Sequence, residues 1–313
     1  MKYVLFLQDL DLTPDETRDL LKEVTSEYEP LWQGPSAREA VCSDVEMLVT
    51  SDHQVKIEEL NKTWTKLRMV SLAFTGFDGI DVDYAQSRNI QLYYVPGYAT
   101  PSVAELNVAL TLSLLRKIPL ADRTIREGDW HRQVKPGTEL SGKKVGIVGT
   151  GTIGIMTAKL FRAFGCAVIG WSRNRHDEFM ATGATYVSKD AVFAESDIVV
   201  LSLPLNDATR CFVTRTQFDL MKNEALLINT ARSELVDREA LLQVLSEKRI
   251  FAGIDVFDAS TEKGSKDELF DFDNVILTPH LGFKTKEALG RLAKEAIANI
   301  GRFLAESNEN LLH

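Results

Sequence analysis

The sequence has little cysteine, no long apolar run and no excess of basic residues. Its three cysteines, Cys42, Cys166 and Cys211, are an odd number with wide spacing, which fits neither a disulfide framework nor a set of metal ligands. No apolar stretch reaches the roughly 18 residues that a membrane-spanning helix requires. With 36 Lys and Arg against 45 Asp and Glu, the net charge of −9 disfavours nucleic acid or a membrane surface as a partner. We therefore expect a cytoplasmic protein without a bound metal.

The composition and the pattern of apolar residues predict an α/β protein of two domains. Hydrophobic residues make up 44% of the 313 residues, which is enough for two cores at roughly 150 residues per domain. Short apolar runs alternate with stretches of helical spacing, a pattern typical of parallel sheets built from strand–helix–strand units. The first run predicts a strand and not a signal peptide, because Asp9 and Asp11 follow it at once. Strands are predicted at 4–7, 47–49, 67–70, 90–94, 143–148, 167–171, 198–203, 225–228, 251–256 and 275–277, and helices at 14–28, 55–64, 82–88, 103–116, 156–164 and 286–305.

A glycine-rich turn follows the predicted strand at 143–148. Gly149, Gly151 and Gly154 form a Gly-x-Gly-x-x-Gly pattern, and a predicted helix comes after it. The first glycine permits a tight turn, the second permits the close approach of a pyrophosphate, and the third lets the helix pack on the strand. Free amide groups at the start of the helix then bind the phosphates. The pattern predicts a dinucleotide site; the alternative is a glycine-rich turn that binds nothing.

The end of the next predicted strand bears on the choice of cofactor. An acidic residue is usual there, because it binds the adenosine ribose hydroxyls. This sequence has Ser172, Arg173 and Arg175 instead, and the first acid is Asp177. Guanidinium groups bind an additional phosphate well, and no carboxylate repels it. We therefore predict NADP(H) as the favoured cofactor and NAD(H) as the second choice; the alternative is that both arginines are solvated surface charges.

Polar residues also follow three later predicted strands, in segments 228–237, 252–257 and 277–282. In an open α/β sheet the carboxyl ends of the strands form the ligand crevice. Arg232, in the first segment, offers two-pronged recognition of a carboxylate or carbonyl. His280, in the last, is able to exchange a proton near neutral pH. Taken alone, Arg232 is equally well a surface ion-pair partner, and His280 a loop histidine bonded to backbone.

Several short segments together carry a family resemblance, because both their order and their spacing match. They are Val103–Glu105, Gly128–Trp130, Glu139–Gly149, Leu203–Leu205 with Thr209, Met221–Lys222, Asp255–Phe257 and Thr278–His280. On these segments the chain resembles the D-isomer-specific 2-hydroxyacid dehydrogenase family over nearly its whole length.

The resemblance implies a fold of two doubly wound parallel-sheet domains. A Rossmann nucleotide domain at residues 101–284 is expected to be inserted into a flavodoxin-like substrate domain formed by residues 1–100 and 285–313. The resemblance further implies the reduction of a small 2-keto acid, such as glyoxylate or hydroxypyruvate, to the D-2-hydroxy acid with hydride from NAD(P)H. It also implies a homodimer joined through the nucleotide domain.

The resemblance assigns roles to individual residues as well. His280 matches the family's acid/base histidine, and Arg232 matches its substrate-binding arginine. Thr75 and Gly76 match the loop whose backbone N–H groups hold the substrate carboxylate. Asp255 matches a residue near the nicotinamide carboxamide. The full set of predicted cofactor-binding residues is Gly149, Gly151, Thr152, Ile153, Gly154, Ser172, Arg173, Arg175, Leu203, Pro204, Thr230, Ala231, Asp255 and Gly282.

Two departures from the family pattern concern the catalytic groups. The family has a glutamate that pairs with the histidine, normally five residues after the aspartate, where this chain has Ser260. Glu262 lies two residues further on. Either a small insertion brings Glu262 to His280 as a catalytic carboxylate that raises the histidine pKa, or it is a solvated loop acid and the pair is broken. In addition, Ser233 replaces the glycine that usually follows the arginine.

The sequence is compatible with three hypotheses about function. The leading hypothesis is a 2-keto acid reductase with His280 as the proton donor. The second is a catalytically weak or inactive dinucleotide-binding sensor or scaffold on the same fold, motivated by the displaced glutamate. The third is an enzyme of this fold that acts on a phosphorylated substrate such as 3-phosphoglycerate, with Arg68 and Lys284 as candidate phosphate ligands. Since the chain ends at residue 313, no C-terminal regulatory domain is expected.

Overall fold

The computed structural model describes residues 2–32, 45–130, 134–257 and 267–312. The chain divides into two compact units. One, which we call the split unit, consists of Met1–Ala99 and Thr285–His313. The other, the inserted unit, consists of Thr100–Lys284. Each contains one parallel sheet, five-stranded in the split unit and seven-stranded in the inserted unit.

The split unit has a sheet of flavodoxin-like order. Its strands are β1 (Lys2–Phe6), β2 (Tyr28–Trp32), β3 (Val45–Thr50), β4 (Met69–Leu72) and β5 (Gln91–Tyr94). They run parallel in the order β2-β1-β3-β4-β5, in which the strand sequence reverses between β1 and β3. Its helices are α1 (Pro14–Val24), α2 (Ile57–Thr63), α3 (Val82–Ser87) and α11 (Lys286–Leu304).

Helix α11 packs its apolar stripe on this sheet. Of the seven predicted apolar positions Leu289 is half-buried, and the other six are buried: Leu292, Ala293, Ala296, Ile297, Ile300 and Phe303. The backbone carbonyl of Ala296 accepts a hydrogen bond from the hydroxyl of Ser71 in β4 at 2.9 Å. Asn299 Nδ2 donates to the carbonyl of Tyr94 in β5 at 3.1 Å. The C-terminal helix is therefore part of the same core as the N-terminal strands.

The inserted unit has a sheet of Rossmann order. Its strands are β6 (Lys144–Val148), β7 (Ala167–Trp171), β8 (Thr185–Tyr186), β9 (Ile198–Leu201), β10 (Ala225–Asn229), β11 (Ile250–Ile254) and β12 (Val275–Leu277). They run parallel in the order β12-β11-β10-β9-β6-β7-β8, so the topological switch point lies between β6 and β9. Its helices are α4 (Thr100–Leu115), α5 (Ile118–Arg126), α6 (Thr152–Ala163), α7 (Asp177–Met180), α8 (Lys189–Ala194), α9 (Arg215–Leu220) and α10 (Arg238–Ser246), with 3₁₀ turns at Ser233–Leu235 and Glu268–Asp271.

The two topologies confirm the predicted α/β fold class with two doubly wound sheets. Helices cover both faces of the inserted sheet, so its central strands are continuous apolar runs, and all four residues of β9 are fully buried. Within the described ranges, no helix is long and apolar enough to cross a membrane. The same residues contain no group of three or more His, Cys, Asp or Glu side chains that could hold a metal ion.

Several element bounds differ from the prediction, and the strand β8 is not predicted; two of the differences have a clear local reason. The helix predicted at 14–28 ends at Val24, and Tyr28–Trp32 forms the unpredicted edge strand β2. Pro30 makes this segment a poor strand by its sequence, but an edge strand tolerates proline because one side of its backbone has no ladder to complete. Helix α6 begins at Thr152, four residues before the predicted start at Met156, because Gly151 caps it.

Candidate functional site

The turn after β6 has the shape that the three glycines predict. Gly149 has a φ of +99°, and a side chain on it would overlap the backbone carbonyl of Ser202. A side chain on Gly154 would overlap the Gly149 carbonyl, so α6 is able to pack close to the turn only with glycine there. By contrast, within the described residues no atom beyond Gly151 and its two chain neighbours lies within 4 Å of a Cβ built on Gly151.

The open space at Gly151 lies at the start of α6. The exposed residues Gly151 and Thr152 bring the first amide groups of this helix to solvent, and those groups have no partner within a helix. The amide groups and the positive end of the helix dipole favour an anion. A larger residue at position 151 would fill this space, and the contact of Thr152 and Ile153 with a cofactor pyrophosphate stays a prediction.

The predicted selectivity residues lie at the neighbouring strand end. Ser172 is half-buried and directly follows β7, while Arg173 and Arg175 are exposed. Because β7 pairs with β6, these side chains are at the same edge of the sheet as the glycine turn. The amide of Gly149 donates to the carbonyl of Trp171 at 2.8 Å, which ties the turn to the end of β7.

Leu203 and Pro204 follow β9 on the other side of β6. The backbone of Ser202 and Leu203 packs against Gly149, and Leu203 is buried whereas Pro204 is exposed. The hydroxyl of Thr209 donates to the Pro204 carbonyl at 2.7 Å and closes the turn that carries these residues. The two predicted residues therefore border the topological switch point.

A buried asparagine shapes the segment that carries Arg232. Asn229 at the end of β10 accepts a hydrogen bond from the amide of Ala231 at 3.1 Å, and its Nδ2 donates to the carbonyl of Arg232 at 2.8 Å. The hydroxyl of Thr230 donates to Oδ1 of buried Asn107 at 2.8 Å. Arg232 itself is half-buried. No local pattern in the sequence identifies either asparagine as a determinant of this segment.

A second buried side chain, Asp255, shapes the loop that carries His280. Its carboxylate is fully buried and accepts hydrogen bonds from the hydroxyl of Thr278 at 2.5 Å and from the amides of Leu281 at 2.7 Å and Gly282 at 2.8 Å. The carbonyl of Asp255 accepts from the amide of His280 at 2.9 Å. The carboxylate of this one aspartate thus accepts hydrogen bonds from the loop on both sides of the histidine.

His280 has an unusual backbone and a perturbed pKa. Its φ of +53° lies in the left-handed region, which costs a non-glycine residue about 1–3 kcal/mol and persists only where neighbours impose it. The side chain is reached by solvent, yet the protein around the imidazole still lowers its pKa below 6.5 by desolvation. The carboxylate of Asp255 acts in the opposite direction, and the positive charge of Arg232 lowers the pKa further. Arg232, Asp255 and His280 are therefore brought together in the inserted unit.

The substrate residues predicted in the split unit lie on the loop after β4. Within the described residues, the amide N–H groups of Thr75 and Gly76 donate to no acceptor. The hydroxyl of Thr75 donates to the carbonyl of Val95 at 2.6 Å, and the Phe74 side chain beside it is buried. The loop is thus held by a side-chain bond while its amides are available to an anion.

The remaining predicted positions have different outcomes. Ser260 and Glu262 lie outside the described residues, so the catalytic carboxylate stays a prediction. Ser233 opens the 3₁₀ turn after Arg232 without a left-handed φ, so the absence of glycine causes no backbone strain there. Gly282 is buried and its amide is bonded to Asp255, which leaves its carbonyl for any contact with a cofactor.

Comparisons with known proteins agree with this geometry. The family model described as D-isomer specific 2-hydroxyacid dehydrogenase, NAD binding domain, matches residues 108–282. A glyoxylate reductase of Thermococcus litoralis is 36% identical over 298 residues, covering 90% of this chain and 89% of that protein. A hydroxypyruvate reductase of Thermotoga maritima is 34% identical over 262 residues, covering 83% and 85%. The solved structure of an acyclic imino acid reductase in complex with NADPH and D-arginine is similar with a TM-score of 0.84 and 28% identity, covering 99% of this chain and 100% of that one.

Proposed function

Because the chain belongs to the D-isomer-specific 2-hydroxyacid dehydrogenase family, we propose that it reduces a small 2-keto acid to the D-2-hydroxy acid with NAD(P)H. The observation that carries the proposal is the grouping of Arg232, Asp255 and His280 at the strand ends of a sheet that also carries the glycine turn. The reductase names of the two relatives support the choice of a short keto acid.

Each residue has a defined part in this reaction. The nicotinamide, when bound, supplies the hydride that reaches the keto carbon. His280 holds a proton on its imidazole and transfers it to the carbonyl oxygen, so that the carbonyl group becomes a hydroxyl group. Arg232 binds the substrate carboxylate or carbonyl with its planar guanidinium, and the amides of Thr75 and Gly76 bind the carboxylate. Asp255 orients the histidine loop through its three hydrogen bonds.

The experiment that tests the function is a substrate panel. Oxidation of NADPH and NADH is followed with glyoxylate, hydroxypyruvate, pyruvate and longer 2-keto acids, and the chirality of each product is determined except for that of glyoxylate, which is achiral. We expect turnover with at least one short 2-keto acid and a D-hydroxy acid as product. Cofactor binding without turnover on the whole panel would favour the dinucleotide sensor instead. Sedimentation of the same preparation tests the predicted homodimer.

We expect NADPH to be preferred over NADH, since Ser172, Arg173 and Arg175 favour a 2′-phosphate. The double variant Arg173→Ala with Arg175→Ala should raise KM for NADPH by about 10- to 100-fold, which corresponds to the net loss of one hydrogen bond to a charged group at about 1.5–3 kcal/mol. KM for NADH should change little. Arg18→Ala, which removes an arginine from α1 in the other unit, is the matched control. A clear advantage of NADH in the wild-type protein would contradict the preference.

The pH dependence of the reaction should follow the lowered pKa of His280. Reduction uses the protonated imidazole, so kcat/KM for the keto acid should fall as the pH rises through a midpoint below 6.5. Oxidation of the hydroxy acid uses the neutral imidazole, so its kcat/KM should rise through the same midpoint. Rates in both directions over about pH 5–8 check this. A midpoint above 6.5 that Glu262→Gln lowers would contradict the expectation and identify Glu262 as the partner of the histidine.

A further inference from the structure

Tyr186 joins the glycine turn to the loop that follows β7. It is half-buried, lies in the short edge strand β8, and pairs with Gly170 of β7. Its hydroxyl is 2.7 Å from Oγ1 of Thr150, the fully buried residue between Gly149 and Gly151. The same hydroxyl accepts a hydrogen bond from the backbone amide of His176 at 2.9 Å. One phenol oxygen thus connects the predicted pyrophosphate turn with the segment Ser172–His176.

The ring of Tyr186 makes a second contact with this segment. The guanidinium carbon of Arg175 lies 5.4 Å from the centroid of the ring, a distance at which a cation is attracted to an aromatic face. On the side of α7, the ring of Phe179 lies 5.1 Å away. The position of the Arg175 side chain and the course of the backbone around it therefore both depend on the same tyrosine.

We propose that Tyr186 is a positioning residue for cofactor selection, which holds Ser172–His176 in the conformation that binds the 2′-phosphate of NADPH. This inference rests on the proposed preference for NADPH. The two arginines that would bind the phosphate, Arg173 and Arg175, are exposed and belong to a loop, so their placement needs an external support. A loop that is held before binding loses less conformational freedom when the phosphate arrives. NADH has no 2′-phosphate, so its binding gains little from that support.

The variant Tyr186→Phe separates the hydroxyl from the ring. It retains the aromatic face beside Arg175 and removes both hydrogen bonds. Calorimetric titration with 2′,5′-ADP and with 5′-AMP measures binding without any reaction. We expect Kd for 2′,5′-ADP to rise about 5- to 20-fold, as one or two lost hydrogen bonds imply, and Kd for 5′-AMP to change less than twofold. In steady-state assays KM for NADPH should rise in the same proportion, while kcat and KM for NADH stay near their wild-type values.

The chain offers a closely matched control and an independent variant. Tyr84 in α3 also has a bonded hydroxyl, 3.3 Å from Asn61 Nδ2, and an arginine near its ring, with Arg88 at 5.6 Å. Tyr84→Phe should leave both Kd values and all the steady-state constants unchanged. Thr150→Val removes the other end of the hydroxyl contact at similar volume. If the two hydroxyls act as a unit, the double variant Thr150→Val with Tyr186→Phe should raise Kd for 2′,5′-ADP by less than the product of the two single-variant fold-increases.

The outcomes distinguish this inference from the proposed cofactor preference. A wild-type protein that binds 2′,5′-ADP no more tightly than 5′-AMP would refute the preference and the inference together. A wild-type protein that prefers 2′,5′-ADP, with the same ratio of the two Kd values in Tyr186→Phe, would leave the preference intact and overturn the role of Tyr186. Equal weakening of both ligands, with a lower melting temperature, would show that the tyrosine only stabilises the fold.

Discussion

Replacement of His280 by alanine should lower kcat by about 10²–10⁴-fold, the usual contribution of a positioned general acid. The imidazole is the group that we propose to protonate the carbonyl oxygen, and hydride transfer alone would leave an alkoxide without a proton donor. Cofactor affinity should stay near the wild-type value, because the glycine turn and the phosphate-binding segment are formed by other residues. Single-turnover rates and a fluorescence titration with NADPH measure the two quantities separately.

The left-handed backbone of His280 requires a second variant as a control. Alanine is strained at a φ of +53°, so the loop around Asp255 could rearrange in His280→Ala and reduce activity for that reason alone. Asparagine adopts this conformation more readily and retains a polar side chain that has no titratable proton. We expect His280→Asn to be as inactive as His280→Ala. Recovery of most of the activity in His280→Asn would show that backbone geometry, and not proton transfer, is what position 280 supplies.

The second large effect is expected for Asp255→Asn. The carboxylate accepts hydrogen bonds from one hydroxyl and two amides, whereas an asparagine of the same shape offers one oxygen and directs an NH₂ group at donors. A buried donor left without an acceptor costs about 1–3 kcal/mol. Because these bonds hold the loop at residue 280, the imidazole should be misplaced and kcat should fall by about 100-fold. The melting temperature should fall by about 2–4 °C for each kcal/mol lost.

A smaller change tests the same explanation for Asp255. Thr278→Val removes the hydroxyl but leaves the aspartate its two bonds from Leu281 and Gly282. Its effects on kcat and on the melting temperature should both lie between those of the wild type and Asp255→Asn. An Asp255→Asn protein with wild-type kcat and melting temperature would refute the structural role of the carboxylate. A large loss of cofactor affinity without loss of stability would instead support the contact with the nicotinamide carboxamide that the family resemblance implies.

The secondary structure is predictable where a residue pattern acts locally. Apart from β2 and β8, the strands of both sheets and the amphipathic helix α11 follow from the spacing of apolar side chains, because burial on one or both faces requires that spacing. The edge strand β2 is not predictable in this way. Pro30 and the short apolar content of the segment argue against a strand, and only its pairing with β1 at the margin of the sheet makes the conformation favourable.

The site residues likewise include some that a local sequence pattern identifies and others that it does not. Gly149, Arg232 and His280 are recognisable in the sequence because each stands in a short segment with a defined distance from a strand. Tyr186 and Asn107 are not recognisable. Tyr186 is 36 residues from Thr150, and Asn107 is 123 residues from Thr230, so neither belongs to a local pattern. Their importance is visible only in hydrogen bonds that the folded chain creates.

From residue order alone one obtains two parallel sheets, a turn for a dinucleotide and the chemical types of the reacting groups, because periodic burial and the conformational freedom of glycine are properties of neighbouring residues. The folded chain decides which buried groups hold those reacting groups in place. Asp255 supports the histidine loop, Asn229 supports the arginine segment, and Tyr186 connects the two segments that are predicted to bind phosphate. The physical reason is that a buried polar group must find its partners wherever the fold brings them, at any separation along the chain.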